Sequence, residues 1–146
     1  MMGINPKKAF QKAFIDTSAF IAIADASEQN HSRILEALGL LPKTLKLVTT
    51  NFVFDETVTR IRSLLGVDVA YDFAQKLLKL PQYQMITIET KIIHKALELM
   101  KTYKDKAFSF TDCTSFVVMV NSKLKYAITL DSDFKKAGFE MIPQTS

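Results

Sequence analysis

Apolar positions along this chain follow two rhythms that alternate from end to end. Short continuous apolar runs take turns with longer stretches in which apolar residues recur at helical spacing. The runs at residues 12–16 (KAFID), 45–49 (LKLVT), 83–88 (YQMITI) and 125–130 (KYAITL) predict four strands, and FEMI near the end predicts a small fifth. Between them the spacing predicts helices over residues 19–24, 27–40, 52–65, 67–80, 89–103, from Ser109 or Thr111 to about Lys123, and over 131–137. Phe54, Val58, Ile61 and Leu65 form one such stripe, which Gly66 stops. Thr17 or Ser18 is the expected N-cap of the first helix, and Thr50 or Asn51 that of the third. The run from Phe116 to Val120 is apolar on every face, so its helix is expected to be central. Strands alternating with helices predict an α/β fold: one domain with a mostly parallel sheet of about four to five strands, flanked by helices.

Composition changes this picture little. The 146 residues suit one domain over residues 1–146, and a hydrophobic content of 48% supplies a core. Residues 1–10 precede the first strand and are read either as a flexible N-terminal extension or as an addition to the sheet. The single cysteine, Cys113, excludes an internal disulfide and an all-cysteine metal site. It fits a reducing, cytoplasmic setting, with Cys113 itself as small packing. His31 and His94 lack zinc-ligand spacing, and His31 is expected on a helix surface. No apolar run approaches the ~18 residues of a membrane-spanning helix. The net charge of +4 permits a polyanionic partner without requiring one.

The acids are more informative. Asp16 and Asp131 each follow directly on a predicted strand, and Asp112 falls in the first turn of a helix. In a parallel sheet these positions share the rim beyond the carboxyl strand ends, where α/β folds bind ligands. Each acid taken singly is also read as a helix cap; it is their common edge that argues for a site. Carboxylates brought together repel one another unless a cation intervenes. Hard oxygen ligands without histidine or cysteine suit Mg²⁺ or Mn²⁺, ions that activate water and clamp phosphodiesters.

Four segments then add specificity: FIDTSAFIAIAD (residues 14–25), TTNFVFDET (49–57), SFTDCTSFVVM (109–119) and TLDSDFKKAGF (129–139). In order and spacing they resemble the signature segments of PIN domains, most of all the VapC-type toxins of toxin–antitoxin pairs, over about residues 12–142. The resemblance implies a metal-dependent endoribonuclease, with Asp16, Glu56, Asp112 and Asp131 as the catalytic acids and Asp16, Asp112 and Asp131 as ligands of Mg²⁺ or Mn²⁺. It also implies an RNA substrate, an antitoxin partner and a homodimer paired through exposed helices. The helical stripe does not choose between Asp55 and Glu56; the resemblance selects Glu56. Asp131 is preferred to Asp133 because it follows the strand directly, leaving Asp133 a supporting or capping role.

Thr17, Asn51, Thr111 and Thr129 are candidate supports for the carboxylates, while Ser18 reads better as a cap. Lys104 and Lys106, with Lys101 before them, and Lys135, with Lys136 after it, are candidate RNA contacts. Tyr103, Phe108 and Phe110 are candidate base-stacking residues that fit the core equally well. A haloacid-dehalogenase-type phosphatase needs a second Asp where Ser18 stands. A receiver domain needs paired acids after the first strand and a lysine near the last. A dinucleotide site needs clustered glycines, and the four present are scattered. The rival that survives is a PIN-fold module that binds RNA or protein without cutting; four matching acids argue against it.

Overall fold

The computed structural model describes residues 11–144. Five strands, β1 (Lys12–Ile15), β2 (Lys46–Thr50), β3 (Tyr83–Ile86), β4 (Tyr126–Ile128) and β5 (Glu140–Ile142), form one sheet in the order β3-β2-β1-β4-β5. Every pairing is parallel. Seven helices among the described residues flank it: α1 (Thr17–Ala24), α2 (His31–Gly39), α3 (Asn51–Leu65), α4 (Val67–Lys79), α5 (Thr90–Thr102), α6 (Phe110–Asn121) and α7 (Asp133–Lys136). The α/β architecture expected from the sequence is present. The N-terminal extension lies outside the described residues.

The chain winds outward from β1 through β2 to β3, then returns to the other side of β1 for β4 and β5. The strand order therefore reverses between β1 and β4, which opens a crevice at their carboxyl ends. β1 is the central strand, and Ala13, Phe14 and Ile15 are completely buried. The α6 helix is as central as its composition predicts, with Cys113 to Met119 all buried. Phe116 and Phe134 meet edge to face at 5.0 Å, fixing the one-turn α7 against α6. Gly66, at a φ of 95° that favours glycine, separates α3 from α4.

Local boundaries differ from expectation for identifiable reasons. Asp16, rather than Thr17 or Ser18, caps α1, accepting the Ala19 N–H. Helix α2 begins at His31 rather than at Ser27: Asp25 accepts both the backbone N–H and the hydroxyl of Ser27, and Glu28 accepts the Asn30 N–H. These side-chain bonds hold a turn in place of the first helical turn. β3 stops at Ile86 because the Ile88 N–H leaves the ladder and donates to Asn51 Oδ1 at 2.7 Å. Thr50 caps α3 by accepting the Val53 N–H.

Candidate active site

The carboxyl ends of β1 and β4 lie side by side, with Ile15 in register with Ile128. The residues that follow, Asp16 and Thr129, are therefore neighbours across the crevice. Thr129 donates its hydroxyl to Asp16 Oδ2 at 2.9 Å. Ser18, one residue into α1, donates to Asp16 Oδ1 at 2.8 Å and accepts the Leu130 N–H at 2.9 Å. Thr129 Oγ1 also accepts the Asp131 N–H, and Asp131 Oδ1 accepts the Asp133 N–H. A continuous polar seam thus runs from the end of β1 through the end of β4 to the start of α7.

Asp112 enters from α6. It forms a capping box with Ser109: the Ser109 hydroxyl accepts the Asp112 N–H at 3.0 Å, and the Asp112 carboxylate accepts the Ser109 N–H at 3.3 Å. Glu56 enters from α3, where buried Val53, Thr57 and Ile61 face the core. Thr57 donates to Thr17 Oγ1 at 3.1 Å and fixes α3 to α1. Glu56 lies on the flank of that stripe, half-buried, whereas Asp55 is exposed. The tertiary structure thus separates two acids that helical periodicity left equivalent.

Asp16, Glu56, Asp112 and Asp131 all line one small cleft of about 60 Å³. Thr17, Ser18 and Thr111 line it as well, together with Val53, Arg60 and Ser115, which sequence reasoning had not singled out. Ser115 follows Asp112 by one turn and Arg60 follows Glu56 by one turn, so helical phase was the signal available for both. Asp133 gains importance: one carboxylate oxygen each from Asp112, Asp131 and Asp133 lies within 4.8 Å of the others. For Asp16 a capping role and a place in the cleft are compatible. Asp16 is both a helix cap and a wall of the cleft, because the start of α1 is itself the rim.

Other candidates are placed elsewhere. Asn51 does not line the cleft; its side chain ties the segment after β3 to the start of α3. Lys104, Lys106 and Lys135 are exposed and do not line it either. Lys135 borders a separate groove with Phe139 and Met141, because Phe134 turns into the core and sets the phase of α7. Phe108 is buried core, in edge contact with Phe116. His31 bonds the Ala22 carbonyl oxygen through Nδ1 and joins α2 to α1.

Burial, and then mutual charge, set the electrostatics of these acids. Burial pushes the Asp16 carboxyl up to about 7, outweighing the bonds from Ser18, Thr129 and Ala19 that favour its charged form; the Asp131 charge adds to the rise. Burial, then the charge of Asp131, raises Asp112 to about 6 against the Ser109 bonds. An all-oxygen donor set whose members hinder one another's ionisation fits a hard divalent ion such as Mg²⁺ or Mn²⁺.

A parallel α/β domain with carboxylates gathered at its strand-order reversal carries an acidic centre at the edge where open α/β sheets bind their ligands. Comparison with known proteins narrows the class. The PIN domain family model matches residues 13–140. The 23S rRNA-specific endonuclease VapC20 of Mycobacterium tuberculosis is 28% identical over 127 residues, covering 86% of this chain and 94% of that protein. A VapC ribonuclease of Archaeoglobus fulgidus is 31% identical over 126 residues, covering 84% and 78%. The crystal structure of VapC20, described as a sarcin–ricin loop cleaving toxin, superimposes with a TM-score of 0.81 at 26% identity, covering 87% of this chain and 95% of that one. FitAcB of Neisseria gonorrhoeae, at 15% identity over 88% of this chain and 95% of its own, shares the fold with a TM-score of 0.65. The chain belongs to the PIN-domain family, as a VapC-type member.

Proposed function

We propose that this protein is a Mg²⁺- or Mn²⁺-dependent endoribonuclease that acts in the cytoplasm as the toxin of a toxin–antitoxin pair. The observation that carries the reading is the convergence of Asp16, Glu56, Asp112 and Asp131 on one cleft from four separate segments. Asp112 and Asp131 belong both to the compact acidic trio and to the cleft lining, and with Asp16 would hold the ion, Asp133 supporting them. When bound, the ion supplies charge neutralisation toward the phosphodiester and activation of water.

The chain's own residues divide the remaining work. Ser18 and Thr129 each carry one hydroxyl proton, and both protons are directed at Asp16, which orients that carboxylate. The capping box holds Asp112 at the start of α6. The Glu56 carboxylate has no hydrogen bond or ion pair among the described residues and reaches the cleft half-buried. It is the group free to accept a proton as water adds to phosphorus and the P–O bond to the leaving ribose oxygen breaks, that oxygen taking its proton from solvent.

Named relatives support the substrate class, since VapC20 is an rRNA endonuclease and the Archaeoglobus protein a ribonuclease. A protein partner is supported by Leu64, Val67, Tyr71 and Leu78, each more than half exposed on the end of α3 and on α4. An antitoxin or a second copy of the chain would cover them. No helix among the described residues is long and apolar enough to cross a membrane.

The test is a cleavage assay on single-stranded RNA and on an rRNA hairpin. Wild type and Asp112→Asn are compared with Mn²⁺, Mg²⁺ or EDTA. Cutting by the wild type alone, abolished by EDTA, is expected. Equal cutting by Asp112→Asn would remove the proposed site.

A further inference from the structure

Among the described residues that line the acidic cleft, Arg60 is the only cation. Its position follows from α3. Glu56 and Arg60 are one helical turn apart on the flank of the buried stripe of Val53, Thr57 and Ile61. The order, acid before base, is the one that favours an ion pair along a helix. Yet among the described residues Arg60 makes no ion pair within 4.0 Å, with Glu56 or with any other acid. An exposed guanidinium beside several carboxylates, bonded to none of them, is available to another anion.

We propose that Arg60 binds a backbone phosphate of the RNA strand in the cleft, adjacent to the one being cut. This rests on the endoribonuclease reading above. The acids lie deeper than Arg60: Asp16 is 6% exposed and Asp112 half-buried, whereas Arg60 is exposed at the mouth. A phosphodiester seated at the acids therefore leaves its neighbour along the strand at the arginine. The planar guanidinium presents paired donors to two non-bridging phosphate oxygens, a geometry that the lysines of this surface do not offer. It also supplies a fixed positive charge where a polyanion must approach an acidic wall, which Lys104, Lys106 and Lys135 do not, since none of them lines the cleft. The contact is made alike in the ground state and the transition state, so it acts on binding more than on turnover.

The test compares wild type, Arg60→Gln and Arg60→Lys in steady-state cleavage of a single-stranded RNA oligonucleotide. Binding of the same oligonucleotide by Asp112→Asn, with and without Arg60→Gln, is followed over a range of salt. For Arg60→Gln we expect KM to rise roughly tenfold with kcat within about twofold, and the salt slope of binding to fall by about one. Arg60→Lys restores the salt slope and only part of the KM. The melting temperature of Arg60→Gln stays at the wild-type value. Unchanged KM and salt slope in a cutting enzyme would overturn the phosphate contact and leave the endoribonuclease intact. A fall in kcat at constant KM would move Arg60 to the scissile group, and a lowered melting temperature would make it structural; either overturns the proposal as stated. A wild type that neither binds nor cuts the oligonucleotide would sink the nuclease reading, and this inference with it.

Discussion

The two sides of the acidic cleft are built differently. On the β1 side, Asp16 is nearly buried and accepts three hydrogen bonds, from Ser18, Thr129 and the Ala19 backbone. On the α6 and α7 side, Asp112, Asp131 and Asp133 are half-buried and crowd within 4.8 Å, each anchored mainly through its own turn. The first side is bonded into the fold, and the second is a cluster of three acids with one ion pair, from Lys136 to Asp133 at 3.5 Å. Removing the side chain from the first should disturb structure and chemistry together, whereas neutralising a member of the second should disturb chemistry alone.

The sharpest way to break that contrast is a set of single substitutions. Asp112→Asn is expected to lower cleavage by at least about 10²-fold while the metal-free protein melts no lower than wild type, because a repulsion is relieved. Asp16→Ala should lose cleavage and also about 1–3 kcal/mol of stability, since it removes a helix cap and orphans two hydroxyls. Asp16→Asn, which keeps the cap, should lose cleavage with most of the stability retained. Denaturant melts beside the cleavage assay decide this; equal destabilisation by Asp112→Asn and Asp16→Ala would erase the distinction.

Metal addition sharpens the same comparison. Millimolar Mn²⁺ or Mg²⁺ should raise the wild-type melting temperature, because an ion that binds only the native state stabilises it. The rise should largely vanish in Asp112→Asn, and an undiminished rise there would place the ion elsewhere.

A smaller effect is expected from pH. Asp16 and Asp112 have folded pKa values raised to about 7 and about 6 above the ordinary 3.8. Below about pH 4 both groups are protonated in either state, and folding carries no penalty from them. As pH rises through 6 and 7, the unfolded chain has already released its protons and the folded chain resists doing so, so stability from this source falls. Melting in EDTA should therefore show a declining contribution between about pH 4 and 7, absent in Asp16→Asn combined with Asp112→Asn. A contribution that grows over that interval would contradict the burial of Asp16.

The smallest effect concerns a residue outside the cleft. Asn51→Ala removes the bond to the Ile88 N–H and should cost about 1 kcal/mol with cleavage within about twofold of wild type. A large loss of activity would return Asn51 to the site.

Much of this was legible in the chain itself. Alternating runs and stripes determined the order of strands and helices, since backbone periodicity and turn residues are local properties. Asp16, Asp112 and Asp131 stood out because an acid directly after a strand, or in the first turn of a helix, is a short-range pattern. Four ordered segments marked the family. Other features depended on pairings between residues far apart in sequence. Thr129 reaches Asp16 across 113 positions only because β4 lies against β1. That Glu56 and not Asp55 lines the cleft follows from the rotation of α3, which the Thr57–Thr17 bond and the packing of Ile61 fix. Phe134 sets the phase of the one-turn α7, and with it Asp133 joins the acids while Lys135 borders another groove. Local sequence determined which elements form and which acids end them; the tertiary structure decided which way each helix turns, because that depends on the shape of the core it packs against.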